Sequence, residues 1–452
     1  KRNKAFHDGR AITAKDVVFT ISLIQDPDLK SPLRSHWSEV ITEQINEYEM
    51  LVRIKEPYSP FIENFTIGIM PEHIWGNLPI EQLPFSQYNT EPIGSGSFQI
   101  DNIRRDNSGL INSYSLKPSI NEQDAGLSKI ELKYFQNEEA LTTAFFNKVI
   151  NSTVFLPVSE INKVNPSEIQ IISEPLPRIF AIFFNQNRSP VLRDKAARQA
   201  LNLSIDRQKL VNSVLGGYGV PTTKPILTQA DKLEWNDTDL KDRSTFSLET
   251  AREILTAGGW KQNASGFWEK EIDKNVETLS VTVRTSNAKL YDRTISIVAD
   301  DWRKLGVEVQ VEQYEQTGLV QSVIRTRDFQ ALLFGLDINR SSDMYPFWHS
   351  SQKDDPGLNI SQYTNVSVDQ NLEKIRTTKD REEKERTLEE INKVINEEIP
   401  AIFLYIPDIT YVVDKSITVA PINNLGKPSD RFMNISDWYA GTDTLWPFFH
   451  KK

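Results

Sequence analysis

Between Leu279 and Phe334 the apolar spacing switches repeatedly between strand-like alternation and a helical period, and no other feature of the chain narrows the fold as much. Leu279, Val281 and Val283 alternate as in a half-buried strand. Tyr291, Ile295, Val298, Trp302 and Leu305 then fall on one helix face, and Val307, Val309 and Val311 alternate again. Another helix and an apolar strand over Phe329–Phe334 complete a β-α-β-α-β order. Strands that alternate with helices imply a parallel sheet with right-handed crossovers, so the fold class reads as α/β. In such sheets ligands sit beyond the carboxyl ends of the strands, and Asp337 lies just beyond the last of these. That carboxylate is expected to face a cleft.

The same periodicities extend outwards. Thr13 and Asp16 have capping-box spacing, and Val17, Ile21 and Ile24 then recur on one face, so a helix starts there. Gly94 and Gly96 form a tight turn before a short strand; the pattern lacks the third glycine and following helix of a dinucleotide fingerprint. Ile179–Phe184 reads as a buried strand. Two helices follow, carrying Ala197, Leu201 and Ile205, then Leu210 and Val214, and closed by Gly216, Gly217 and Gly219. Arg193, Asp194, Arg198, Asp206 and Arg207 are expected to be solvated or capping charges. Leu388, Ile391 and Ile395 stripe a charged surface helix that leads through Pro400 into a strand over Ala401–Ile406.

At 452 residues the chain is too long for one ordinary core, and two or three packed units are expected. Acidic residues exceed basic ones, 62 to 52, which argues against nucleic acid as a partner. There is no cysteine, and no apolar run approaches the length that spans a bilayer. His7, His36, His73, His349 and His450 show no metal-ligand spacing, and there is no H-E-x-x-H, G-x-S-x-G or Walker loop, so no metal, cofactor or enzymatic activity is expected. The nine tryptophans and thirteen tyrosines suit a ligand pocket or an ordinary core, and Trp348 and His349 could serve either.

Seven stretches stand in order along the chain: "FHDGRAITAKDVVFT", "IMPEHIW", "PIGSGSFQI", "FFNQNRSPVLRDKAARQALNLSIDRQKLVNSVLGGYGVP", "AREILTAGGW", "YTNVSVDQNLEKI" and "EEIPAIFLYIP". Together they resemble the family 5 extracellular solute-binding proteins, the oligopeptide- and dipeptide-binding components of bacterial ABC importers. The resemblance implies a periplasmic-binding-protein type II-like fold: two lobes with a hinge plus a smaller accessory domain. It places the accessory domain at 1–102, the first lobe at 103–185 with 413–452, the second lobe at 186–412, and the hinge at Asn185 and Val412. It further implies a first lobe that begins upstream of this chain, an extracytoplasmic location with an anchor in that upstream segment, a monomer, a short peptide ligand and delivery to ABC transporter permease subunits.

In peptide-binding members an aspartate after a buried strand pairs with the ligand's terminal ammonium, and Asp337 matches that position. A carboxylate in a water-poor cleft gains a charge-assisted hydrogen bond from an ammonium. Where many members continue Asp-Pro-Asp, this chain has Ser341-Ser342-Asp343 after Asn339 and Arg340. Arg340 is therefore read either as an internal counter-ion to Asp337 or as a partner for a ligand carboxylate, with Asp343 as the rival carboxylate. Asp337, Asn339, Arg340, Asp343, Trp348, His349 and Tyr405 make up the expected ligand-binding set. The alternative ligand is an oligosaccharide, a glutathione-like molecule or a metal chelate, and a hydrolase is the remote alternative.

Overall fold

The computed structural model describes residues 4–31, 33–55, 59–121, 125–226, 246–338, 343–422 and 425–441. The chain packs as two units: Lys1–Ile172 with Thr410–Asn423 and Ser429–Lys452, and Ser173–Ile409 with Asn424–Pro428.

In the first unit, three of the sequence motifs hold one another. Helix α1 (Ala14–Gln25) starts at the expected cap: Asp16 Oδ2 accepts from the Thr13 N–H and from Thr13 Oγ1, each at 2.9 Å. Asp16 is 6% exposed, and its Oδ1 accepts from the Glu72 N–H at 3.0 Å, so one buried carboxylate satisfies donors from two segments. His73 Nε2 meets Asp8 Oδ2 at 2.6 Å, and buried Phe6 packs edge-on against the His73 ring. His7 Nδ1 accepts from the Gly94 N–H at 3.3 Å; its proton therefore sits on Nε2, which donates to the Gly96 carbonyl at 3.1 Å. Two antiparallel assemblies follow in this unit. One is the pair β1 (Ile41–Asn46) and β2 (Glu49–Arg53); the other is the sheet β3 (Phe98–Arg105), β4 (Ile111–Pro118), β5 (Ile130–Lys133). Strands β6 (Ser152–Thr153) and β7 (Ile169–Pro175) follow, and the passage into the second unit falls within β7.

The second unit is built around β8 (Arg178–Phe184), buried at every position but its first. Helices α2 (Lys195–Leu203) and α3 (Arg207–Leu215) are capped by Asp194 and Asp206, as expected. Arg198 and Arg207 differ from expectation: they are 5% and 1% exposed. Arg198 donates to the carbonyls of Leu192, Arg193, Glu398 and Ile399, and Arg207 to the carbonyls of Phe403 and Asn202. A guanidinium offers five donors in a fork, so it can enter a core where several orphan carbonyls converge. Burial lowers the Arg207 pKa to about 10. Strand β9 (Gly219–Pro221) and a meander of β10 (Lys261–Gln262), β11 (Trp268–Ile272) and β12 (Asn275–Thr278) come next.

The β-α-β-α-β region is present as β13 (Ser280–Ser286), α4 (Lys289–Leu305), β14 (Glu308–Tyr314), a short helical segment and β15 (Ala331–Asp337). β13 is parallel to both β14 and β15. The sheet is not wholly parallel, however. β15 pairs antiparallel with β8 on its other side, and β8 pairs antiparallel with β16 (Ala401–Asp414), giving the order β14-β13-β15-β8-β16. That pairing also carries β15 beyond Phe334 to Asp337, which is the last residue of the strand rather than a loop residue.

Alternate residues of β8 feed two cores. Phe180, Ile182 and Phe184 pack with α2, α3 and α4 residues such as Leu201, Leu210 and Trp302. Ile179, Ala181 and Phe183 pack with Leu372 of α5 (Val366–Thr377) and Ile391 of α6 (Arg381–Glu398). Each fully buried Ile or Phe contributes about 1.5–3 kcal/mol, so this strand is a principal anchor of the unit. Two of the chain's passages between units fall at 172/173 and 409/410, so Asn185 lies inside the second unit and Val412 inside the first. Asn185 is 1% exposed and its side chain donates to the Arg327 carbonyl at 2.8 Å; Val412 pairs with Thr153. β8, expected in the first lobe, belongs to the second unit, as do the residues it pairs with, Ala331–Asp337 of β15 and Ala401–Tyr405 of β16.

Candidate functional site

The described members of the expected ligand set, Asp337, Asp343, Trp348, His349 and Tyr405, lie in the second unit, where the structure sorts them by burial. Asp337 ends β15 at the carboxyl edge of the parallel strands, and the order β14-β13-β15 reverses between β13 and β15, the kind of switch point beside which ligands lie in α/β sheets. Seven register pairs place Arg178, the first residue of β8, directly across from it. Arg178 Nε donates to Asp337 Oδ1 at 2.6 Å, and a terminal guanidinium nitrogen donates to Oδ2 at 2.9 Å. Both side chains stay open to solvent, at 41% and 57% exposed. The Asp337 hydrogen bond holds the Arg178 pKa above its ordinary value.

Gly335 makes room behind this pair. A Cβ at Gly335 would lie 3.2 Å from the Phe180 ring and 3.3 Å from the Tyr291 hydroxyl. Tyr291 is half-buried; burial pushes its phenol up, while the nearby Arg178 charge pulls it down.

Asn339 and Arg340 lie outside the described residues. The counter-ion that the structure places on Asp337 is Arg178.

Asp343 turns inward. Its carboxylate accepts from Arg376 of α5 at 2.7 and 3.3 Å and from the Tyr345 N–H at 3.2 Å, with the Asp343 side chain 7% exposed. The Arg376 guanidinium lies 3.7 Å from the Tyr345 ring centroid, and the His349 ring stacks on Tyr345 at 4.0 Å. His349 is 7% exposed, and its Nδ1 accepts from the Ser351 N–H at 3.1 Å. The proton of neutral His349 therefore sits on Nε2, 3.4 Å from Glu373 Oε1.

Trp348 and Tyr405 are core residues, 1% and 0% exposed. Trp348 packs against Phe183, Tyr363 and Phe403. Tyr405 stacks on Phe180 at 4.9 Å, and its hydroxyl is bonded to Thr294 Oγ1 at 2.7 Å. Burial pushes the Tyr405 phenol strongly upward. Both aromatic rings therefore support the sheet behind Asp337 rather than presenting a face to solvent.

Sequence reasoning missed Arg178 and Arg376. A signal for the first existed: "RIFAIFF" laid antiparallel to "ALLFGLD" puts the only two charges of these apolar runs opposite each other. Arg376 had none, because its partner lies on a separate element. Among the described residues no group of three or more His, Asp or Glu is placed to hold a metal, and no helix is long and apolar enough to cross a membrane. The first unit also holds a concavity of about 300 Å³ over β3, β4 and β5, lined by His7, Phe98, Tyr114, Leu116, Leu132 and Tyr134 among others.

The model of the family described as bacterial extracellular solute-binding proteins, family 5 Middle, matches residues 1–357. The chain belongs to that family. This family 5 protein is 29% identical to the oligopeptide-binding protein AppA of Bacillus subtilis strain 168 over 433 residues, covering 90% of this chain and 74% of AppA. The structure of Bacillus subtilis AppA in complex with a nonapeptide superposes with a TM-score of 0.74 at 26% identity, covering 98% of this chain and 86% of that one. NikZ of Campylobacter jejuni, solved with Ni(L-His), gives a TM-score of 0.73 at 21% identity over 97% of this chain and 86% of that chain, and shares the fold. The fold is the type II periplasmic-binding-protein fold of family 5. Family 5 proteins are extracellular and bind solutes.

Proposed function

We propose that this family 5 protein is the peptide-binding component of an ABC importer, capturing short peptides and delivering them to a membrane permease. What carries the reading is the likeness to a relative solved with a bound nonapeptide, sustained over 98% of this chain. Curated relatives described as putative ABC transporter peptide-binding proteins support it, at 24% identity over 259 residues. Peptide recognition suits an exposed strand end: main-chain hydrogen bonds supply affinity while side chains stay variable. Asp337 and Arg178 are the ligand-facing charges in this proposal, with Asn339 and Arg340 following in sequence. Asp343, Trp348, His349 and Tyr405 support them from within the unit. The protein acts as a monomer without catalysis, in the periplasm or at the outer face of the cytoplasmic membrane, and a smaller accessory division ends near residue 102 of the first unit.

The test is mass spectrometry of small molecules released when the purified protein is denatured. A ladder of short peptides is expected. A single non-peptide species, such as an oligosaccharide or a metal chelate, would keep the family and overturn the ligand.

A further inference from the structure

We propose that Arg178 is a specificity-determining residue: by clamping Asp337 it makes this strand end indifferent to a free N-terminal ammonium, so the protein accepts N-terminally blocked peptides as readily as unblocked ones. The inference rests on the peptide reading above.

Three observations carry it. The clamp engages both carboxylate oxygens, at 2.6 and 2.9 Å, leaving neither free of the guanidinium. It is held by strand register: Arg178 and Asp337 close a ladder whose inner pairs run from Phe184↔Ala331 to Ile179↔Leu336, and the Ile338 N–H continues the pairing by donating to the Pro177 carbonyl at 2.8 Å. The clamp is also open to ligand, since both side chains remain well exposed.

An ammonium approaching Asp337 meets a neutral pair instead of a bare anion. The carboxylate's spare lone pairs can still accept a hydrogen bond, but attraction to the carboxylate is opposed by the adjacent guanidinium charge. The advantage that a free amino terminus gains at an unpaired carboxylate is largely cancelled. A blocked amide end loses little by comparison.

The experiment compares the affinities of matched free and N-acetylated peptides, drawn from those released by the protein, for the wild type, Arg178→Gln, and Arg178→Gln combined with Asp337→Asn. The wild type is expected to bind the two forms within about threefold of each other, as for a neutralised exposed pair. Arg178→Gln should prefer the free form by about tenfold or more, because Asp337 is then an unpaired acceptor. Adding Asp337→Asn should abolish that preference. A second arm does not need Arg178 removed: Asp337→Asn alone leaves the guanidinium unpaired, and should favour an N-succinyl over an N-acetyl peptide by about fivefold. Thermal melts of each variant confirm folding. A wild type that prefers the free form tenfold, with the ratio unmoved in Arg178→Gln, overturns the inference alone. Failure of every variant to bind any peptide overturns it together with the peptide reading.

Discussion

Arg178–Asp337 and Arg376–Asp343 are both two-bond arginine–carboxylate pairs, and their aspartates lie six positions apart in the sequence. The first pair leaves its side chains 41% and 57% exposed; the second leaves them 28% and 7% exposed. The first ties two strand ends that face solvent. The second ties the residues just before the Tyr345–Trp348 helix to helix α5 and carries the Tyr345–His349 stack beside it. The same chemistry serves different ends because the surrounding dielectric decides what is lost when a partner goes. Removing one partner of a solvent-facing pair costs little stability because water takes over the freed group, whereas a buried pair loses a partner only by leaving a poorly solvated charge.

The largest test of that contrast is Asp343→Ala. Removing the buried partner should lower unfolding stability by about 3 kcal/mol, the low end for a broken buried pair because Arg376 keeps some solvent. Urea denaturation measures it, and an unchanged midpoint would erase the distinction between the two pairs.

Asp408 sharpens the comparison as a half-buried carboxylate whose hydrogen bond comes from a hydroxyl, Ser173 Oγ at 2.6 Å. Burial pushes its pKa up, offset in part by that Ser173 bond. A raised carboxyl favours folding while protonated, so this site costs stability as pH rises from its ordinary value of 3.8 through the raised one. Asp408→Asn should therefore stabilise the protein by about 1 kcal/mol at neutral pH. The gain should vanish as pH falls toward the ordinary carboxylate range, and melts across pH would show the two curves converging. Parallel curves would remove the assigned cause.

Tyr405→Phe should cost about 1 kcal/mol, the worth of its bond to Thr294, and leave ligand affinity unchanged because the ring is enclosed. A loss of affinity without a loss of stability would return Tyr405 to the binding surface. Smallest in stability is Asp337→Asn, expected within about 0.5 kcal/mol of wild type by denaturation because the pair is exposed. A loss as large as that of Asp343→Ala would mean that the strand-end pair holds the fold together.

Strand and helix identity was legible wherever one face is buried. The strand over Leu279–Val283, the helix face from Ile295 to Leu305, the Thr13–Asp16 cap, the Asp194 and Asp206 caps and the apolar stripe of α6 appear as read, whereas Val311 is exposed and the last strand is shifted to Ala331–Asp337. These are local effects, in which spacing along the chain sets which side chains share a face. The motif resemblance was legible too, and in the first unit its residues are in contact: Asp8 with His73, His7 with Gly94 and Gly96, Asp16 with Glu72.

The candidate site was legible only in part. Asp337 was found by its place after an apolar run, but its counter-ion was not, because strand order is not written in local periodicity. An antiparallel strand from a distant segment, 159 positions away, inserted itself beside β15 and brought Arg178 with it. The burial of Arg198 and Arg207 escaped for the same reason. A charged side chain reads as solvated until the fold gathers enough acceptors around it to meet each guanidinium nitrogen. The amino-acid sequence by itself determined the elements, their amphipathic faces and the family. Tertiary structure alone decided which charges met and which were buried, because those outcomes depend on long-range register and on the local exclusion of water.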